Sequence, residues 1–170
     1  MTNSKSKVPG LRLIMLCGIP TSGKSSYVRQ GQDETPHLDE FVWLSTDNYI
    51  EQEAERTGLT YNLVFDGCVD AATKDMELQL KQAINKNLCV IWDQTNLTPK
   101  ARKRKLSKVP SRYEKTAVWF DISLEEAFRR NETRPGKYIP KSVIRRMHAT
   151  FVPPTKAEGF DHIIKFNSAI

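Results

Sequence analysis

Apolar residues fall in short runs that stop at polar, loop-forming clusters, and between the runs the spacing changes to one that suits helices. Leu11, Leu13, Ile14, Met15, Leu16 and Cys17 form a nearly continuous run ending at Gly18, the pattern of a strand buried on both faces. Further strands are expected at Phe41–Leu44, Leu88–Trp92, Thr116–Phe120 and Ile163–Phe166. Phe65, Val69, Ala72, Met76, Leu80 and Ala83 recur every three or four positions, which predicts one long amphipathic helix from Leu63 to Ile84, ended by Asn85, Lys86 and Asn87. Shorter helices are expected at Lys24–Gln30, after Pro99, at Leu124–Asn131 and at Pro140–Thr150, with Pro135 and Gly136 punctuating the last gap. Strands alternating with helices predict an α/β fold with a central parallel β-sheet flanked by helices, and ligands in such sheets bind at the carboxyl ends of the strands. Three polar clusters fall at such ends: Gly18 onward, Ser45–Asn48 and Asp93–Asn96.

The first of these clusters carries chemistry. Gly18-Ile-Pro-Thr21-Ser22-Gly23-Lys24-Ser25 matches G-x-x-x-x-G-K-[ST] in full, between an apolar strand and a helix, and Ser26 follows it. The glycines let the backbone wrap closely around phosphates, and the free amides at the helix start supply donors. Lys24 is expected on the β- and γ-phosphates of ATP, and the Ser25 hydroxyl on Mg²⁺. This makes the expected fold that of a P-loop NTPase.

Asp47 and Asp93 stand at the other two strand ends. Asp47 reads either as the base that relieves an acceptor hydroxyl of its proton or as an N-cap of a following helix. Asp93 ends an apolar strand as a Walker B acid does, holding Mg²⁺, or is a turn residue. Gln94, Thr95 and Asn96 are polar candidates for orienting the acceptor or base. Arg129, Arg130, Arg134 and Lys137 gather at a helix end and in the loop beyond it, either as a short arginine-bearing lid over ATP or as a solvated helix end. Lys100, Arg102, Lys103, Arg104, Lys105 and Lys108 form the densest basic run, which reads as a solvated surface or a phosphate-contacting one.

Composition narrows the picture only a little. A chain of 170 residues suits one domain, expected over residues 11–170 behind a flexible polar segment at 1–10. Twenty-six Lys and Arg against 20 Asp and Glu give a net charge of +6, which favours acidic partners such as nucleotides or nucleic acid. Cys17, Cys68 and Cys89 are odd in number and have no CxxC spacing, which argues against both a disulfide framework and a structural zinc site; a reducing, cytoplasmic setting is expected. The apolar run Leu11–Cys17 is too short to span a membrane.

Four blocks together resemble the 5′-hydroxyl polynucleotide kinase family of P-loop proteins, which includes phage-type kinase domains and related AAA-like ATP-binding kinases. They are Gly18–Ser26, Ser45-Thr-Asp47-Asn-Tyr49, Asp93-Gln-Thr-Asn-Leu97 with its basic helix, and Arg130-Asn131 followed by Arg134. The resemblance implies ATP- and Mg²⁺-dependent phosphorylation of a 5′-OH end on DNA or RNA. It makes Asp47 the general base, Arg134 the transition-state arginine of the lid and Arg130 a second lid arginine that also holds the nucleotide. Asn48 and Ile50 stand where some phage-type kinases carry a second Asp and an acceptor-binding Arg. The third block, with Thr155–Phe160, also resembles a wider group of kinase-like proteins that includes non-catalytic, RNA-associated modules. Other acceptors therefore stay open: a hydroxymethylated base, a seryl-tRNA or a small metabolite.

Overall fold

The computed structural model describes residues 7–34 and 41–167. Five strands, β1 (Arg12–Cys17), β2 (Val42–Leu44), β3 (Val90–Asp93), β4 (Glu114–Asp121) and β5 (His162–Asn167), form one sheet in the order β2-β3-β1-β4-β5. Every pairing is parallel. A parallel sheet needs crossovers. Helices α1 (Lys24–Glu34), α2 (Thr46–Thr57), α3 (Tyr61–Asn85), α4 (Pro99–Leu106), α5 (Leu124–Glu132) and α6 (Lys141–Thr150) lie in or between them, with a 3₁₀ turn at Lys156–Glu158.

The pleat of β1 divides the core. Leu13, Met15 and Cys17 pack with Met76, Leu80 and Ala83 of α3 and with Leu106 of α4, whereas Leu16 packs with Val28 of α1, Ile91, Val118 and Phe120. All five expected strands form, and β1 lies at the centre of the sheet, which explains its unbroken apolar run. Cys17 is buried there, and burial pushes its thiol up to about 12. All three cysteines are free.

Three features depart from the sequence reading. The polar residues after β2 run directly into α2, whose narrow buried stripe is Ile50 and Ala54. The long helix α3 begins at Tyr61, and its buried stripe is Val64, Ala72, Met76, Leu80 and Ala83; Phe65, placed in the core by spacing, is instead 38% exposed. The basic run on α4 is not a purely solvated face. Arg102 is fully buried and paired with Glu158 through Nε at 2.6 Å and a terminal nitrogen at 2.8 Å, and it donates to the Asn96 carbonyl at 2.8 Å.

Of the segment expected ahead of the domain, residues 1–6 lie outside the described residues. Val8 N donates to Arg112 O at 3.0 Å, and Lys7 Nζ donates to Tyr113 O at 3.1 Å and pairs with Asp161. Among the described residues no helix is long and apolar enough to cross a membrane.

Candidate active site

The loop between β1 and α1 has the geometry its glycines predict. A Cβ on Gly18 would stand 2.7 Å from Ser22 Oγ and 3.2 Å from Phe120 Cβ, so a side chain there would force Ser22 and Phe120 to shift. Gly23 has φ +99, and Thr21 takes φ 67 while its hydroxyl donates to Ala127 O at 3.0 Å. Gly18 N donates to Thr95 O at 2.9 Å, which fixes the loop against the end of β3. Ser22 Oγ is buried with no hydrogen-bond partner among the described residues.

Lys24 opens α1 and is 9% exposed; its ammonium donates to Gly18 O and Ile19 O, each at 2.9 Å. Burial lowers its pKa, opposed by the charges of Asp93 and Asp47. Ser25 Oγ and Trp43 Nε1 both donate to Asp93 Oδ2 at 3.1 Å. Burial raises the Asp93 carboxyl, and the Lys24 charge and these two bonds oppose it. Ser25 and Asp93 are thus adjacent oxygen donors at the mouth of the loop. Mg²⁺ takes one or two protein carboxylate or hydroxyl ligands and keeps several waters, so this pair fits it without a larger cage.

Asp47 lies in the first turn of α2, but the cap of that helix is Ser45, whose side chain accepts from Asn48 N at 3.4 Å. The Asp47 carboxylate instead accepts from Tyr61 OH at 2.6 Å and from Lys137 Nζ at 2.8 Å. Burial alone would raise its pKa; the charge and hydrogen bond of Lys137 and the Tyr61 hydroxyl outweigh it and hold the carboxyl below its usual range. Lys137 also donates to Glu51 at 2.8 Å, and its Nζ stands 4.1 Å from the centre of the Tyr61 ring.

The segment between α5 and α6 is clasped from both sides. Asn131 bonds both ways with the Ile139 backbone, at 2.7 and 3.1 Å, and Asn62 bonds both ways with the Tyr138 backbone, at 2.8 and 2.9 Å. Arg130 pairs with Glu126 at 2.6 Å and donates to Thr21 O at 3.3 Å, which joins α5 to the phosphate loop. Arg134, just beyond α5, lines the central cavity and its guanidinium makes no hydrogen bond or ion pair among the described residues.

One cavity of about 900 Å³ brings together Thr21, Gly23, Lys24, Ser25, Ser26, Asp47, Asp93, Arg130 and Arg134. Gly18 and Ser22 lie beneath it as the frame of the loop rather than as wall. Asn96 is turned away: it is 2% exposed and its amide donates to Leu16 O at 2.7 Å, so it supports the fold, while Gln94 and Thr95 remain on the wall. Lys137, read from the sequence as part of a lid or of a solvated helix end, is buried on the cavity wall and paired with Asp47. Tyr61 and Asn62 were missed altogether, since nothing local marks a helix-start tyrosine or asparagine as facing a cavity.

A parallel sheet in this order, with a phosphate loop after its central strand and Asp93 ending the neighbouring strand, defines a P-loop kinase fold, which implies ATP binding. The chain belongs to the AAA_33 family of AAA domains, which it matches over residues 13–154. No curated protein matches it. Among solved structures it resembles a chain of the Pnkp1/Rnl/Hen1 RNA repair complex, at 22% identity and TM-score 0.63 over 88% of this chain and 46% of that one. It therefore spans less than half the length of that relative. It also resembles Chaetomium thermophilum Kti12 in complex with ADP-AlF3 (19% identity, TM-score 0.59, 92% and 89% covered) and a gluconokinase from Sinorhizobium meliloti 1021 (15%, 0.55, 94% and 84%). At these identities the likeness is one of fold.

Proposed function

We propose that this protein is an ATP- and Mg²⁺-dependent kinase that transfers the γ-phosphoryl group to a nucleic-acid hydroxyl, the 5′-OH end of DNA or RNA. The observation that carries it is that Lys24, Asp47 and Arg134 line one cavity. A module that only bound nucleotide would need the lysine; it would not need a carboxylate and a guanidinium facing the same space.

On this reading the loop amides and Lys24 bind the ATP phosphates, and Arg130 supports the nucleotide side of the lid. Ser25 and Asp93 would hold Mg²⁺, which when bound neutralises charge on the β- and γ-phosphate oxygens. Asp47 orients the acceptor hydroxyl and receives its proton as the oxygen bonds to the γ-phosphorus and the bond to the bridging oxygen of ADP breaks. Arg134 offsets charge on the transferred group. The clasp by Asn62 and Asn131 favours exclusion of water, which would otherwise compete as acceptor. The net charge of +6 and the resemblance of the sequence blocks to polynucleotide kinases support the acceptor class.

The test is transfer of labelled γ-phosphate from ATP to matched 5′-OH and 5′-phosphate oligonucleotides, with Lys24→Ala and Asp47→Ala as controls. Label on only the 5′-OH strand, abolished in both variants, is the expected result. No label on either strand while ATP still binds would remove the nucleic-acid acceptor. The likeness to a gluconokinase would then make small polyhydroxy acids the next acceptors to try.

A further inference from the structure

The cavity wall beyond Asp47 is aromatic. Tyr61 and Phe65 stand one helical turn apart on α3, their ring centres 5.7 Å apart and tilted by 41°, and both line the cavity. Tyr61 is anchored by its hydroxyl on Asp47, and Lys137 lies against its ring. Phe65 does not belong to the buried stripe of α3 and is 38% exposed. An exposed phenyl ring beside a catalytic carboxylate does nothing for the core.

We infer that Phe65, with Tyr61 beside it, is a stacking platform for the base of the acceptor's terminal nucleotide; the inference rests on the polynucleotide reading above. Tyr61, bonded to Asp47, and Phe65 beside it line the same cavity as that carboxylate, so an acceptor held at Asp47 shares its space with these rings. A nucleobase presents a flat π-face to such a wall, and stacking on an aromatic side chain is tolerant of base identity. A small polyhydroxy acid would need polar donors there instead. The amide of Asn62, the polar side chain next to Tyr61, is committed on both sides to the Tyr138 backbone.

The experiment uses two 5′-OH oligonucleotides that differ only at the terminal nucleotide, one carrying a base and one abasic. For the wild type, the acceptor KM is expected to be about 5- to 150-fold higher for the abasic end. Phe65→Ala should show a similar loss on the intact end and no further loss on the abasic end. Phe65→Trp, which keeps a stacking face, should retain the preference, and it serves as the deciding variant if thermal melting shows that Phe65→Ala is unfolded. Equal KM values for the two ends in the wild type, or an equal penalty from Phe65→Ala on both, overturn the platform while the kinase reading stands. If neither end is phosphorylated although ATP binds, the polynucleotide reading fails. Fluorescence anisotropy with the same two strands then decides the platform: a base-dependent affinity lost in Phe65→Ala supports it, and equal or absent binding overturns it.

Discussion

Lys137 Nζ stands 2.8 Å from Asp47 Oδ2, a contact between a residue of the loop after α5 and the first turn of α2. The pair keeps the carboxylate ionised and in place, and it costs the carboxylate basicity. Lys137→Met removes the cation and one hydrogen bond, so the Asp47 carboxyl should rise toward its ordinary range. A base must be ionised to act, and activity is lost as pH falls through its pKa. The acid limb of the pH profile of kcat/KM should therefore move to higher pH in Lys137→Met. A limb that does not move would show that Asp47 is not the group it reports. The same sign applies to stability: the depressed carboxyl stabilises the fold at neutral pH, and that contribution fades on acidification and is smaller in the variant.

Arg134 faces the cavity, and its guanidinium has no hydrogen bond or ion pair among the described residues, so its removal should separate activity from stability. Arg134→Ala is expected to lower kcat by about 10³-fold or more, the scale of a transition-state arginine in this fold. Its unfolding free energy should change by no more than about 0.5 kcal/mol, as for a surface site. Rapid-quench turnover and urea unfolding read the two effects. A small kcat effect with a large loss of stability would make Arg134 structural.

Arg102 and Glu158 make the opposite case, since both are buried and neither lines the cavity. Arg102→Ala leaves Glu158 buried without its partner and should cost about 3–5 kcal/mol in urea unfolding. Replacing both, as Arg102→Met with Glu158→Leu, should recover most of that loss. If the double variant is no more stable than Arg102→Ala, the pair is not what holds α4 to the 3₁₀ turn.

Lys105 packs over the Trp92 ring at 5.5 Å with its ammonium on Asn96 Oδ1. Burial, with the nearby charges of Arg104 and Lys108, pushes its pKa down to about 8 from an ordinary 10.5. Between those values the unfolded chain holds more protons than the folded one, so stability contributed by this site rises with pH. Wild type should gain stability relative to Lys105→Met as pH goes from about 8 to 10. Thermal melts of both proteins across that range check it, and a constant difference would refute the shift.

The sequence by itself determined what depends on neighbours along the chain. The inner strands β1 and β3 were legible because a strand buried on both faces needs an unbroken apolar run, and the phosphate loop because its wrapping is set by glycines within one turn. Helix α2 showed only in its capping residues, since burying only Ile50 and Ala54 leaves no long periodic stripe to read. Spacing of three or four residues fits either Val64 or Phe65 into the start of the α3 stripe, and only packing chose Val64 for the core and left Phe65 at the cavity. A run of basic residues gives no sign that Arg102 points inward, because that depends on Glu158, 56 positions later. Asp47 and Lys137 are 90 positions apart. Which cation would meet which carboxylate was decided only when the sheet brought α2 and the loop after α5 to the same cavity, since charges interact through space and a pattern along the chain carries no record of that distance.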